Sequence, residues 1–242
     1  MSEGTVYQEA LRRLRLLSLS PPFANQVLEA LESGRPGPLP LLYEAGAEAG
    51  LALPVLQTRG AGIYFGFCAA RLAAPAVRFG APLFGEGPRV QYLLQNLAFS
   101  TLAHPQARVP QHVLEEATRL LASAVVPPAL STPVEAWTAP VFRRVAQGLA
   151  GVQWAAYLRL LWAGTAMEDT AEAAGQNLGI AAHVAEDIRA RAPRFYAMPE
   201  EDQRQVAAWG REAAEDLRRH GLRCLDAALR RLEPTLPEEG TP

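Results

Sequence analysis

From about Pro54 to Ala74 the chain is apolar with almost no charge, and Tyr64, Phe65, Phe67 and Cys68 run through its middle. Such a stretch fits a helix buried on nearly all sides, so the rest of the chain has to cover it. Helical spacing recurs on both flanks, and no stretch alternates at period two over a length worth reading as a strand. Residues 5–18 carry Val6, Ala10, Leu11, Leu14 and Leu17 on one stripe, with Arg12, Arg13 and Arg15 mostly on the other faces. Pro21-Pro22 opens a second helix through about Ser33, the breaker Gly34-Arg35-Pro36-Gly37-Pro38 ends it, and residues 39–50 make a third. Beyond the apolar helix, residues 75–89 read as a Pro- and Gly-rich loop. Helices then follow at 91–103, 110–125 and 133–164, with one long helix at 164–190 and an amphipathic one at 200–232, bent at Gly210 or Gly221. The expected fold class is all-α, a single domain over 1–233 with a disordered tail at 234–242.

Totals narrow the chemistry. With a net charge of −2 and arginines scattered among glutamates, nothing favours nucleic acid. Every basic side chain is Arg, so no Schiff-base lysine and no P-loop lysine exists. No apolar run approaches the roughly 18 residues of a membrane span, and the N-terminus does not read as a signal peptide, which leaves a cytoplasmic location as the expectation. Cys68 and Cys224 stand far apart with no CxxC, which suits small buried side chains better than a disulfide or thiolate site. His104 and His112 flank a Pro-bearing turn as surface residues.

The motif that carries chemistry lies late in the chain. Gly175-Gln176-Asn177-Leu178-Gly179-Ile180-Ala181 is followed by Ala182-His183-Val184-Ala185-Glu186-Asp187-Ile188-Arg189-Ala190. This segment resembles the one in trans-isoprenyl (polyprenyl) diphosphate synthases that ends in their second aspartate-rich motif, Phe-Gln-x-x-Asp-Asp-x-x-Asp. Two of its three carboxylates are present, one as Glu, and Ala190 replaces the third. Arg78-Phe79-Gly80-Ala81-Pro82-Leu83 resembles the family's Arg-Arg-Gly-x-Pro-Thr, and the family's spacing then puts its first aspartate triad on Ala69, Ala70 and Ala73. No aspartate of any kind precedes Asp169. Gly34-Arg35-Pro36 stands where the family has Gly-Lys-x-x-Arg-Pro, and Gln147-Gly148 where it has Lys-Thr.

The resemblance, over about residues 34–230, implies an isoprenoid synthase-like helical bundle or barrel around a central cavity. In that family two triads hold Mg²⁺ ions that clamp an allylic diphosphate, and octahedral oxygen shells need carboxylates from both walls. Four of the six are missing here. Glu186 and Asp187 are the residual metal or diphosphate candidates, against the plainer reading of a solvated pair partnered by Arg189 or Arg191. Arg35, Arg71 and Arg78 are the anion or diphosphate candidates. Arg71 is read as a buried guanidinium, paired with a glutamate, binding an anion, or neutralising Glu186 or Asp187. Tyr64, Phe65, Phe67 and His183 are candidate cavity-lining residues, and core packing explains them equally well. His183 reads as a hydrogen-bonded core residue before it reads as a ligand.

Two functions stay open. One is a non-catalytic structural or regulatory subunit, or a binder of an apolar isoprenoid, acting as a homodimer or beside an intact prenyl synthase through the apolar helices between Gln91 and Val125. It needs no cofactor, and Mg²⁺ is not favoured. The other is an active enzyme of the same fold with altered chemistry, a prenyl transferase or a member of the phytoene/squalene synthase branch. For that branch the trace is Arg194-Phe195-Tyr196-Ala197-Met198-Pro199-Glu200.

Overall fold

Burial of the apolar stretch is achieved by a long helix, Leu53–Phe79, in a computed structural model that describes residues 4–35, 37–79, 87–122 and 132–232, with side chains omitted at 73–79 and 231–232. The helices, numbered in chain order, are α1 (Gly4–Arg15), α2 (Pro21–Ser33), α3 (Leu39–Glu48), α4 (Leu53–Phe79), α5 (Gly87–Leu102) and α6 (Gln111–Ala122). They continue with α7 (Ala139–Ala146), α8 (Val152–Trp162), α9 (Ala171–Arg189), α10 (Pro193–Tyr196), α11 (Glu200–Arg219) and α12 (Arg223–Leu232). Among the described residues there is no strand, so the all-α expectation holds. No described helix is long and apolar enough to cross a membrane.

Several boundaries differ from the sequence reading. The loop expected from Pro75 is helical as far as Phe79, because a proline within a long helix removes one amide donor without ending the helix. The next helix starts at Gly87, with Pro88 in its first turn. The span 133–164 is not one helix: a 3₁₀ turn at Val134–Ala136 precedes α7, and a π turn at Gln147–Gly151 joins α7 to α8. The long helix expected at 164–190 begins at Ala171, after Gly164 in the left-handed region (φ 70°) and a 3₁₀ turn at Glu168–Thr170. The last helix is broken at Gly221 (φ 66°), and Gly210 lies inside α11. The tail at 234–242 lies outside the described residues.

The chain divides into two compact units. The first comprises Met1–Ala76, Pro82–Glu115 and Leu160–Glu168. Its axis is α4, and small residues let neighbours close in. A Cβ on Gly60 would meet Val6 of α1 at 2.9 Å, and one on Gly62 would meet Leu102 of α5 at 2.7 Å. Tyr64 and Phe65 are wholly buried there, and the indole of Trp162 donates to the carbonyl of Ala45 at 3.1 Å.

The second unit comprises Val77–Ala81, Glu116–Arg159 and Asp169–Pro242. Its axis is α9, whose buried face includes Leu178, Ala181, Val184, Ala185 and Asp187. Helix α11 packs along it, with Gly210 against Val184, and the π turn presses on it from another side.

Candidate functional site

Helix α9 ends in a reversal made by a non-glycine residue. Arg191 sits at φ 49°, and the amides of Arg191 and Ala192 donate to the carbonyls of Ile188 and Asp187 at 3.2 and 2.9 Å. The four-residue helix α10 follows and places Arg194 against the end of α9. Arg194 Nε donates to Oδ2 of Asp187 at 2.6 Å, and Nη2 donates to Oδ1 at 2.9 Å. The same Nη2 lies 2.9 Å from Nε2 of His183. A guanidinium has no acceptor, so Nε2 accepts, and the imidazole is neutral with its proton on Nδ1. The guanidinium carbon is 5.1 Å from the ring centre of Trp137 and 5.9 Å from that of Phe142. The Phe195 ring packs edge-on against Phe142. Side-chain exposure is 1% for Arg194 and 0% for Asp187, which puts this ion pair among the fully desolvated ones.

The expectation of a solvated acidic pair on α9 is therefore corrected for Asp187. His183 and Asp187 lie one turn apart on the buried face, the partner is Arg194, and Glu186 beside them is half-buried. The reading of His183 as a hydrogen-bonded core residue agrees with its place in this cluster. Arg194 entered the sequence reading only as part of a segment similar to another enzyme branch, because nothing before it announces the turn that folds it back.

In the first unit, Arg35 is exposed and lies over the ring of Tyr7, 4.4 Å from its centre. Its Nη1 is 3.5 Å from Oε2 of Glu32, whose other oxygen accepts a hydrogen bond from the Tyr7 hydroxyl. Burial, and then the Glu32 contact, push the Tyr7 phenol up to about 12. Tyr7 meets Tyr64 edge to face at 6.1 Å, and the Tyr64 hydroxyl donates to the carbonyl of Leu31. Gly34 closes this corner, since a Cβ there would sit 2.7 Å from Sγ of Cys68. Burial raises the Cys68 thiol to about 12, so it is held as the neutral thiol. Tyr64 and Phe65 are core residues, and Phe67 is half-buried.

Arg71 is not buried. Its side chain is exposed, with the guanidinium 6.0 Å from the ring centre of Phe67. Among the described side chains of α4 the buried cation is Arg59, which the sequence reading passed over. Its Nε donates to the carbonyl of Ala107 at 2.7 Å, Nη2 to Arg108 at 2.7 Å, and Nη1 to both Leu161 and Ala163 at 2.9 and 2.7 Å. Burial lowers its basicity, and the Glu168 carboxylate opposes that shift. The Arg78 side chain lies outside the described side chains.

A cleft of about 300 Å³ in the second unit is lined by Glu116, Arg119, Leu120, Arg159 and Glu172. Within it Arg159 pairs with Glu116 and, at 3.4 Å, with Glu172.

The fold is that of prenyl diphosphate synthases. The chain superimposes on a geranyltransferase from Legionella pneumophila with a TM-score of 0.67 and 19% identity, covering 96% of this chain and 92% of that one. For an FPP/GFPP synthase from Zymomonas mobilis the TM-score is 0.61 and the identity 18%, with 93% and 94% covered. At these identities the likeness is one of fold. No family model matches the sequence, and no curated protein does.

Proposed function

We propose that this protein is an isoprenoid-synthase-fold chain without metal-diphosphate chemistry, serving as a structural or regulatory subunit or as a binder of an apolar isoprenoid chain. The observation that carries the reading is the engagement of both carboxylate oxygens of Asp187 by Arg194 in a fully buried pair. A hydrated Mg²⁺ takes oxygens that are free to enter its octahedral shell. An aspartate already neutralised by an internal guanidinium does not fit that role. The absence of aspartate before Asp169 supports the same reading from the sequence.

Self-association, or pairing with an intact synthase, belongs to this proposal. Tyr92 and Phe99 stand 69% and 42% exposed on α5, seven residues apart and so on similar sides of the helix. The second reading, an active enzyme with altered chemistry, draws on the transferase and synthase names of the fold neighbours. One experiment separates the two. Purified protein is incubated with isopentenyl diphosphate, Mg²⁺ and dimethylallyl, geranyl or farnesyl diphosphate, with calorimetry on farnesyl diphosphate in parallel. The proposal expects no turnover and no Mg²⁺-dependent micromolar binding; turnover establishes the enzyme reading instead, and Mg²⁺-dependent binding without turnover overturns the loss of the metal-diphosphate site.

A further inference from the structure

The cluster at the end of α9 has the parts of a receptor for a flat organic cation. The Asp187 carboxylate meets Nε and Nη2 of the guanidinium side-on at 2.6 and 2.9 Å, the two-pronged match that a planar fork makes with a carboxylate. Nε2 of His183 takes a further hydrogen bond at 2.9 Å. Trp137 and Phe142 supply aromatic faces at 5.1 and 5.9 Å, which attract a weakly hydrated cation. One carboxylate, one imidazole and two rings suit a guanidinium better than a metal ion, which gains nothing from aromatic walls.

The walls and the occupant come from different parts of the chain. Phe142 is on α7, Trp137 follows the 3₁₀ turn before it, and His183 and Asp187 are on α9. The Phe142 and His183 rings pack on each other at 5.6 Å. Arg194 arrives on α10, four residues long and set off from α9 by the left-handed turn at Arg191. So short a helix has little stability of its own, and its position is fixed by what its side chains grip.

We propose that Trp137, Phe142, His183 and Asp187 form a guanidinium-binding site that the chain fills with its own Arg194. The connector 190–199 is then a plug, and the site takes up a free guanidinium compound once the plug's side chain is removed.

The test is chemical rescue of Arg194→Ala, followed by thermal unfolding with methylguanidinium chloride against tetramethylammonium chloride at the same millimolar concentration. The expected result is a lowered midpoint for the variant that methylguanidinium raises saturably by several degrees and tetramethylammonium does not. The native protein, whose site is filled, shows no such rise, and Arg194→Ala combined with Asp187→Asn loses it. Should Arg194→Ala not fold alone, its refolding yield with and without methylguanidinium supplies the readout. Arg194→Met, which refills the space without charge, is expected to fold and not to respond. Equal responses to the two salts, a response shared by the native protein, or no response of the variant in either readout would overturn the proposal.

Discussion

A Cβ placed on Gly179 would lie 2.2 Å from the carbonyl oxygen of Ala150, so α9 touches the π turn backbone to backbone. One turn earlier, a Cβ on Gly175 would lie 2.4 Å from Cα of Ala155. These contacts involve main chain, which cannot swing aside as a side chain can. Alanine normally improves a helix interior by about 1 kcal/mol over glycine. Here Gly179→Ala should instead cost about 2–3 kcal/mol through overpacking. Gly87→Ala, at a position with open space around it, should be neutral or slightly stabilising. Urea unfolding of the two variants checks the contrast, and equal behaviour would mean that α9 and the π turn do not meet as described.

Arg59→Met should destabilise the first unit by about 3 kcal/mol, because it removes four hydrogen bonds to main-chain carbonyls, three of them buried. Arg59→Lys should recover little of this, since an ammonium lacks the planar fork that reaches Ala107, Arg108, Leu161 and Ala163 together. Denaturant midpoints for both variants test the point. Full recovery by lysine would show that charge, and not shape, is what the site uses.

Tyr7 makes a prediction at alkaline pH. Its folded-state pKa of about 12 stands above the ordinary value of 10.0, so its contribution to stability is fully present below pH 10 and is lost as pH rises toward 12. Tyr7→Phe should flatten the fall in stability over that interval, measured by denaturant unfolding at a series of pH values. An unchanged slope would mean that other phenols or the Cys68 thiol, also raised to about 12, account for it.

Arg191→Gly should stabilise the protein by about 1 kcal/mol, because an exposed L-residue pays a steric penalty at φ 49° that glycine does not. A higher thermal midpoint is the expected outcome. A lower one would mean that the Arg191 side chain makes a contact worth more than the strain.

Much of the helical framework was legible because burial writes a periodic pattern, and α2 was read to its observed ends at Pro21 and Ser33. The arginines of α4 show where that reading loses its grip. Arg59 and Arg71 are twelve residues apart, which turns the second about a third of a turn from the first. A guanidinium buried in an apolar helix needs partners, and Arg59 is such a residue; without the neighbours in place, the sequence does not tell which face is buried. The end of α9 posed a different obstacle. His183 and Asp187 at i and i+4 share a face in any helix reading, but the third member arrives through a left-handed turn at Arg191. Such turns are normally announced by Gly or Asn, and here neither stands at that position. Pro75 misled in the opposite sense, since a breaker by local rules lies within a helix that continues to Phe79.

The grip of Arg59 also bears on synthesis. Its acceptors at Ala107 and Arg108 are made about fifty residues after it, and those at Leu161 and Ala163 follow 102 and 104 residues after it. During translation the apolar helix that carries Arg59 therefore waits half-clad while another stretch of chain is built, with a buried-type cation lacking half of its carbonyls. A nascent chain stalled before Leu160 has this defect permanently, and exposed apolar surface of that kind is what chaperones bind and proteases find. The first unit therefore cannot close around Arg59 before Ala163 has been made.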